Sequence, residues 1–539
     1  MNGNLVRKSL KNLALYVLIT TMLLATACSK TNTQQSQQNG TSGTTEALTL
    51  PVTTTPITLT YWCDLGKAAG TVTTLNENLT IQEWQKRTGV TLKYIHPAVG
   101  NATVAFNLIC ASGQYPDIME YGWLTVPGGP AEYIKNNVII PLNSYIKQYA
   151  PDLTKNLQKY PLMRTQSELD DGTYYMMPSY YGDLELARAN GPIIREDLLK
   201  KQNLSAPVTI DDWTKMLEAV KKAYPDMYPF YFAGKADFDY NPLFIGAYGI
   251  STAFSLDKGK VIYGAADSRY KSFLQLLNTW YKEGLIDPDS LSGSAKLRDS
   301  KYTSNKTFAI IGAMGDNVTR YTALMLPKNP DFMMNALPYP IVKKGDAPAP
   351  VSQANQVNGG VAITTACKYV KEAVKMLDYL YTDEGHLLSN FGVEGTTYTT
   401  VDGKPQLTPL IINNPAGLSR TQAMAKYLYW QGSPADIKFK DILNARDSLP
   451  QQISGRADWM KATNSIVLPP VLPTKDESTE ISGIMSDITT YTEEQFNGFV
   501  SGKIPLSNFD SYINKLKDMN IARAIQITQQ EYDRYSKRK

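Results

Sequence analysis

The stretch ITLTYWCDLGKAAGTVTTLNENLTIQEWQKRTGVTLKYIHPAVGNATVAFNLICASGQYPDIMEYGW, residues 57–123, decides the fold. Its first six residues, Ile57 to Trp62, alternate apolar and polar and are rich in β-formers, which predicts a strand. A helix is expected from Leu75 to Thr88, where Leu75 stacks on Leu79 and Ile81 on Trp84, with Gly89 as the stop. Val90–His96 is the next strand, Ala102–Ser112 the next helix, and DIMEYGW after Pro116 the third strand. Strand, helix, strand, helix, strand describes an α/β layer with a mostly parallel sheet. Ligands of such sheets gather beyond the carboxyl ends of the strands, which puts Cys63, Asp64, Tyr121 and Trp123 near a candidate site.

Outward from this core, Asp171–Ala189 divides into two extended pieces joined near Pro178, as expected of a crossing into a second layer. Thr209 and Asp212 form a capping-box variant before a helix whose buried face carries Ile210, Trp213, Leu217 and Val220. A longer helix from Ser268 ends at Gly284. TFAIIGAMGDN, residues 307–317, is a buried strand with a glycine-rich exit. Gly345–Pro350 and the Gln/Asn-rich run after it suggest a return crossing. VNGGVAITTACK resumes the first layer, and the part beyond Tyr427 is largely helical. No internal repeat occurs at a solenoid period.

The N-terminus carries a different instruction. Arg7, Lys8 and Lys11 precede an apolar run from Leu13 to Leu24, then Ala25, Thr26, Ala27 and Cys28. About a dozen apolar residues fit a secretory signal, whereas a membrane span takes about 20. Small residues before Cys28 resemble a bacterial lipobox, although Ala25 stands where leucine is usual. Cleavage there makes Cys28 a lipidated N-terminus, holds the body at the cell membrane facing outward, and reduces 539 residues to 512. The net charge of +4 falls to about +1 once Arg7, Lys8 and Lys11 leave, so neither nucleic acid nor a polybasic membrane contact is expected. Residues 28–56, rich in Ser, Thr, Gln, Asn and Gly, predict a flexible tether. Cys63, Cys110 and Cys367 are odd in number and lack a CxxC pair, which argues against a disulfide scaffold or a thiolate zinc site. A mature chain of this length exceeds a single core, so two lobes are expected.

Several blocks then resemble extracellular solute-binding proteins of family 1, in the long lipoprotein subgroup that feeds sugar ABC importers of Gram-positive bacteria. They are TGVTLKYIHP with PDIMEYG, REDLLKKQNLSAPVTIDDW (195–213), YKEGLIDPD (281–289), LDYLYTDEGHLLSNFGVEGTTYT (377–399) and FVSGKIPLSNFDSYINKLKDMNI with QQEYDRY near the end. The resemblance implies an α/β fold of two lobes, of periplasmic-binding-protein type II, joined by a hinge of two or three crossings. It implies a first lobe of residues 57–178 and 356–430, and a second, helix-rich lobe of 179–355 and 431–539. It also implies ligand capture in the cleft between them and delivery to ABC permease subunits driven by a separate ATPase. The chain is expected to act as a monomer.

Aromatic residues make up 10% of the chain, with 34 Tyr and 7 Trp, and flat rings stack on sugar faces while carboxylates and amides bond the hydroxyls. Most such rings pack in cores. The candidates at strand exits are Trp62, Tyr121, Trp123, Tyr180, Tyr181 and Tyr231, with Asp64, Asp183, Asp316 and Asn317 as hydrogen-bonding partners. An oligosaccharide is the expected ligand, with a peptide or other polar nutrient as the alternative. A glycan-degrading enzyme is the less favoured class: His96 and His386 have no metal spacing, no nucleophile motif or cofactor motif occurs, and a carboxylate pair is not identifiable from sequence. Asp237, Asp239 and Asn241 open like a calcium loop, but Pro242 replaces the turn glycine and Tyr248 the twelfth-position glutamate.

Overall fold

The strands in chain order are β1 (Ile57–Trp62), β2 (Val90–Ile95), β3 (Ile118–Tyr121), β4 (Met177–Tyr181), β5 (Asn190–Arg195), β6 (Phe230–Tyr231), β7 (Phe254–Asp257), β8 (Lys260–Tyr263), β9 (Ala309–Ala313), β10 (Met334–Ala336), β11 (Val357–Ile363), β12 (Tyr398–Val401), β13 (Lys404–Leu407) and β14 (Ile437–Lys438). This computed structural model describes residues 45–538 except 352–354, 430, 431, 433 and 448. The signal sequence, Cys28 and most of the tether therefore lie outside the described residues.

Two separate sheets form. The first has the order β14–β4–β11–β3–β1–β2, and the second β10–β5–β9–β6. β1 is parallel to β2 and β3, β14 is parallel to β4, and β11 runs antiparallel to both its neighbours, β3 and β4. In the second sheet β5 runs antiparallel to β9 and β10, and β6 is parallel to β9. Each sheet has its own core. One gathers Leu59, Trp84, Ile118, Met177, Val361 and Leu377; the other gathers Ile193, Trp213, Phe244, Trp280, Ile310 and Phe496. In the second, Trp213 and Trp280 meet Phe244 edge-on at 5.2 and 4.9 Å, the geometry that ring quadrupoles favour. The protein is thus a two-lobed α/β fold.

Local sequence accounts for much of this. Every second residue of β2 is buried, the period-2 pattern of a strand with one face on the core. Thr209 and Asp212 form the expected capping box on the helix Ile210–Ala223. The helix Leu79–Thr88 starts at Asn78, whose side chain accepts from the Ile81 N–H, and ends at Gly89 with φ 74°.

Two expectations need correction. The tether is not free up to Pro56. Glu46 donates its N–H to the Gln148 carbonyl at 2.9 Å, and its carboxylate takes Lys375 at 2.7 Å. The Val52 N–H reaches the Thr88 carbonyl at 2.9 Å, and Leu48 and Val52 pack on the first core. An ion pair and two apolar side chains outweigh the cost of ordering this short segment. The boundary at 430/431 also moves. β14 still pairs with β4, so the third crossing follows residue 438.

Crossings are held by buried groups. Arg188, between β4 and β5, donates to the Trp459 and Met460 carbonyls at 3.3 and 3.1 Å. These end the helix Pro450–Met460, where the dipole favours a cation. The Trp459 ring lies over Gly191 so closely that a Cβ there would sit 2.3 Å from it. The long helix Lys475–Ser501 touches both lobes: Lys475 pairs with Glu132 of the first, while Phe496 and Phe499 enter the second core.

Candidate functional site

A cavity of about 530 Å³ opens between the lobes. From the first lobe it is lined by Tyr181 at the end of β4, Lys438 at the end of β14 and Asn358 at the start of the antiparallel β11. From the second it is lined by Ala313, at the end of β9, with Gly315 and Asp316 just beyond, and by Ala189 just before the antiparallel β5. Both sheets therefore present their carboxyl edges to it, the place where α/β sheets bind ligands. β9 leaves its sheet through a π-helical turn, Met314–Val318, a distortion frequent at functional sites. A neighbouring hollow of about 500 Å³ shares Gly315, Asp316, Arg420 and Thr421 with the first, so the two form one elongated groove.

The wall has two characters. Leu186, Met424, Ile442 and Leu443 make an apolar side. Charged groups come from Arg420, Lys438, Arg446, Arg456 and the carboxylate Asp316, with Arg420 and Arg446 on the same helices as Met424 and Ile442. Lys438 donates to buried Asp436 at 2.6 Å, and Asp316 takes Arg320 at 3.3 Å. Asp447, its side chain 2% exposed, receives both Arg446 and Arg456. Arg420 donates to the Arg446 carbonyl and to the Thr319 hydroxyl, both uncharged. Burial, and then the like charge of Arg446, lower the Arg420 pKa from its usual value, although a guanidinium in a protein keeps its proton. Gly315 admits the Arg446 side chain: a Cβ there would lie 2.8 Å from the guanidinium carbon.

Behind the groove, Tyr61 and Tyr429 both donate to the buried Glu120 carboxylate, at 2.8 and 2.9 Å. Gly432, which lines the cavity with φ 69°, sits against that carboxylate so closely that a Cβ would collide with it.

Among the residues expected from sequence, Tyr181 and Asp316 line the cavity. Asp183 lies one turn away and accepts from the Lys440 N–H at 2.7 Å. Asn317 is buried, accepting from the Ala313 N–H at 2.7 Å and so shaping the π turn. Trp62 and Trp123 are buried around Phe106, with ring centroids at 6.1 and 5.6 Å, and half-buried Tyr121 stacks on Phe106 at 4.0 Å. Asp64 is half-buried at the end of β1. Tyr180 is buried against Tyr160, and Tyr231 exchanges hydrogen bonds with the Ser294 backbone at 3.0 and 3.1 Å. Most of the aromatic candidates are therefore packed inside a lobe, because side chains alternate along a strand and the exits of short strands are covered by helices. Sequence reasoning missed Arg420, Arg446 and Arg456. They stand on short helices, Arg420–Tyr427, Asp441–Arg446 and Pro450–Met460, around the third crossing. The capping box of Ser419 and Gln422 was a legible local signal for the first of these.

The other chemistry is structural. His386 is held between the Ile437 carbonyl at 3.0 Å and Asp441 at 2.7 Å, fastening β14 to the helix Asp383–Phe391. Asp237 and Asp239 lie on a short helix, Ala236–Tyr240, where they accept from the Ala233 N–H at 2.6 Å and from Lys235 at 2.7 Å. Among the described residues no group of three or more His, Cys, Asp and Glu is placed to hold a metal, and no helix is long and apolar enough to cross a membrane.

Two α/β lobes presenting their carboxyl edges to one groove define a two-lobed solute receptor. Residues 73–386, more than half of the chain, match the bacterial extracellular solute-binding protein family, and the chain belongs to it. It is 25% identical over 504 residues to the fructooligosaccharide ABC transporter substrate-binding protein FusA of Streptococcus pneumoniae, covering 86% of this chain and 88% of FusA. It is 26% identical over 372 residues to the lipoprotein LipO of Bacillus subtilis, covering 65% of this chain and 69% of LipO. Among solved structures, the alginate-binding protein AlgQ2 superposes with a TM-score of 0.71 at 25% identity, covering 89% of this chain and 99% of AlgQ2. FusA in complex with kestose superposes with a TM-score of 0.70 at 21% identity, over 89% and 99%.

Proposed function

We propose that this protein is a lipid-anchored receptor that captures an oligosaccharide in the interlobe groove and hands it to an ABC permease with a separate ATPase. The observation that carries the reading is the groove at the carboxyl edges of both sheets, made of two adjoining hollows of about 530 and 500 Å³. Apolar side chains interleaved with charged and amide groups suit a sugar, whose ring faces are apolar and whose rim is hydroxyl. The kinship to FusA supports a carbohydrate, and the kinship to LipO supports the lipid on Cys28. Ligand binding between lobes joined by three crossings favours the closed form, which the permease then recognises. Catalysis forms no part of this function.

Thermal shift of the full chain in detergent against neutral and acidic oligosaccharides and short peptides tests the reading, with product analysis alongside. A ligand at 100 times its dissociation constant stabilises by about 2.7 kcal/mol. The expected result is a shift with one glycan class and recovery of the intact sugar. A shift with peptides alone would leave the fold and remove the sugar, and cleaved glycan would make the protein an enzyme.

A further inference from the structure

We infer that the groove selects an oligosaccharide carrying a carboxylate, a uronic acid unit seated where its two hollows meet. This rests on the receptor reading above and names the ligand class.

Three arginines, Arg420, Arg446 and Arg456, stand around one end of the cavity. Asp447 is the carboxylate that acts on all three, pairing directly with Arg446 and Arg456 and acting on Arg420 through space. Glu185 adds a more distant field at Arg456. Among the described residues, the ion pairs set one carboxylate against these three guanidinium groups, which leaves positive charge at the cavity. Lys438 does not change this, because Asp436 already takes it. Asp316 shares Arg320 with Asp299, so this trio returns one negative charge, which is smaller than the surplus of the three arginines over Asp447.

Arg420 is the telling group. Among the described residues it has no carboxylate within ion-pair distance, and its hydrogen bonds go to a carbonyl and a hydroxyl. Those two bonds use part of a fork of five donors. The side chain lines both hollows and stands at their junction. It opens the helix Arg420–Tyr427, whose N-terminus also faces the cavity through Thr421 and favours negative charge. A partly buried cation without a counter-ion is costly in an empty receptor, and a ligand anion supplies what is missing. The planar fork matches a planar carboxylate through two parallel hydrogen bonds. Leu186, Met424, Ile442 and Leu443 then face the apolar side of the same ring. The second hollow, lined by Asn413, Asn414 and Ser419 besides Arg320, takes the adjoining units through their hydroxyls.

Isothermal titration of the full chain tests this with trisaccharides of uronic acids, their fully methyl-esterified forms, a sulfated trisaccharide, kestose and a tripeptide. The expected result is that a uronate trisaccharide binds at least about 10-fold more tightly than its own ester, with affinity falling as salt rises. Arg420→Gln is expected to lose about 10- to 100-fold for the acid and under about 3-fold for neutral sugar. If Arg420→Gln fails to fold, the acid-against-ester comparison on the unaltered chain still decides. A neutral or esterified sugar that binds as well as the acid overturns the inference and leaves the receptor standing. A sulfated sugar preferred over the uronate overturns the carboxylate. Binding of the tripeptide alone, or silence from every sugar, overturns the receptor reading and this inference with it.

Discussion

Arg195 and Asp197 show how one residue can hold a lobe. Their side chains are each 2% exposed and joined by two hydrogen bonds of 2.8 and 2.7 Å, with Asn305 taking a third donor of the arginine at 2.6 Å. Removing one partner strands a buried charge, so Asp197→Ala is expected to cost about 3–5 kcal/mol by denaturant unfolding. A loss below 1 kcal/mol would show that the guanidinium finds another partner. His386 makes a pH-dependent case. Burial opposes its charge, but the bond to Asp441 outweighs burial and raises its pKa above the ordinary value. A raised histidine stabilises fully below its unfolded pKa of about 6.5, and the contribution fades as pH rises through the folded value. Asp441→Asn is expected to move the His386 titration, read by NMR, to lower pH and to shrink the stability lost as pH rises through the folded value. An unmoved titration would refute the pairing. The His386 pair was not visible beforehand, since Asp441 lies far along the chain from His386.

At the scale of elements, Asn78 joins two helices, of which the sequence pattern showed only the first. Its Oδ1 caps Leu79–Thr88 through the Ile81 N–H at 3.2 Å, and its Nδ2 donates to the Lys426 and Leu428 carbonyls at 3.0 and 2.9 Å. The second helix is the one that presents Arg420 and Thr421 to the groove. Asn78→Ala is expected to cost about 2 kcal/mol and to weaken ligand binding although it touches no ligand. Equal stability with weaker binding would separate the two roles. The first helix was legible because its apolar spacing and Gly89 are local. The two-residue β14 was not, because so short a strand has no period to detect, and it exists through its pairing with β4. The π turn after β9 was seen only as a glycine-rich exit, since its geometry depends on Asn317 folding back onto the Ala313 N–H.

For the whole molecule, the question is what limits lobe movement. Near the C-terminus, Arg534 bonds Glu477 of the long helix at 2.8 and 2.6 Å and Asp170 of the first lobe at 2.8 Å. Arg538 joins the same Asp170 at 3.0 and 2.8 Å. The last helix, Ile521–Tyr535, packs on the second core through Ile521 and Ala524. Asp170 thus ties the lobes together away from the groove. Arg534 and Asp170 are about a third exposed but the Arg538 side chain is 1% exposed, so Asp170→Ala is expected to cost about 1–3 kcal/mol. Amide exchange in the last turns of Ile521–Tyr535 is also expected to quicken, and ligand-free scattering to show a wider range of lobe separations. Unchanged exchange and scattering would place the restraint elsewhere, in the crossings held by Arg188 and Trp459.

By itself the sequence determined the class of fold. Strand alternation in residues 57–123, helix periods closed by Gly89, and a length beyond one core require two α/β layers, because those signals act between near neighbours. The blocks shared with the solute-binding family extended this to a cleft receptor. The tertiary structure decided which side chains face the cleft. Candidates at strand exits, such as Trp123 and Tyr231, are buried by packing that no local pattern encodes. Arg420, Arg446 and Arg456 reach the groove because the third crossing folds short helices over it. A cavity between two lobes is made by contacts distant in sequence, so its charge became readable only once those contacts were in place.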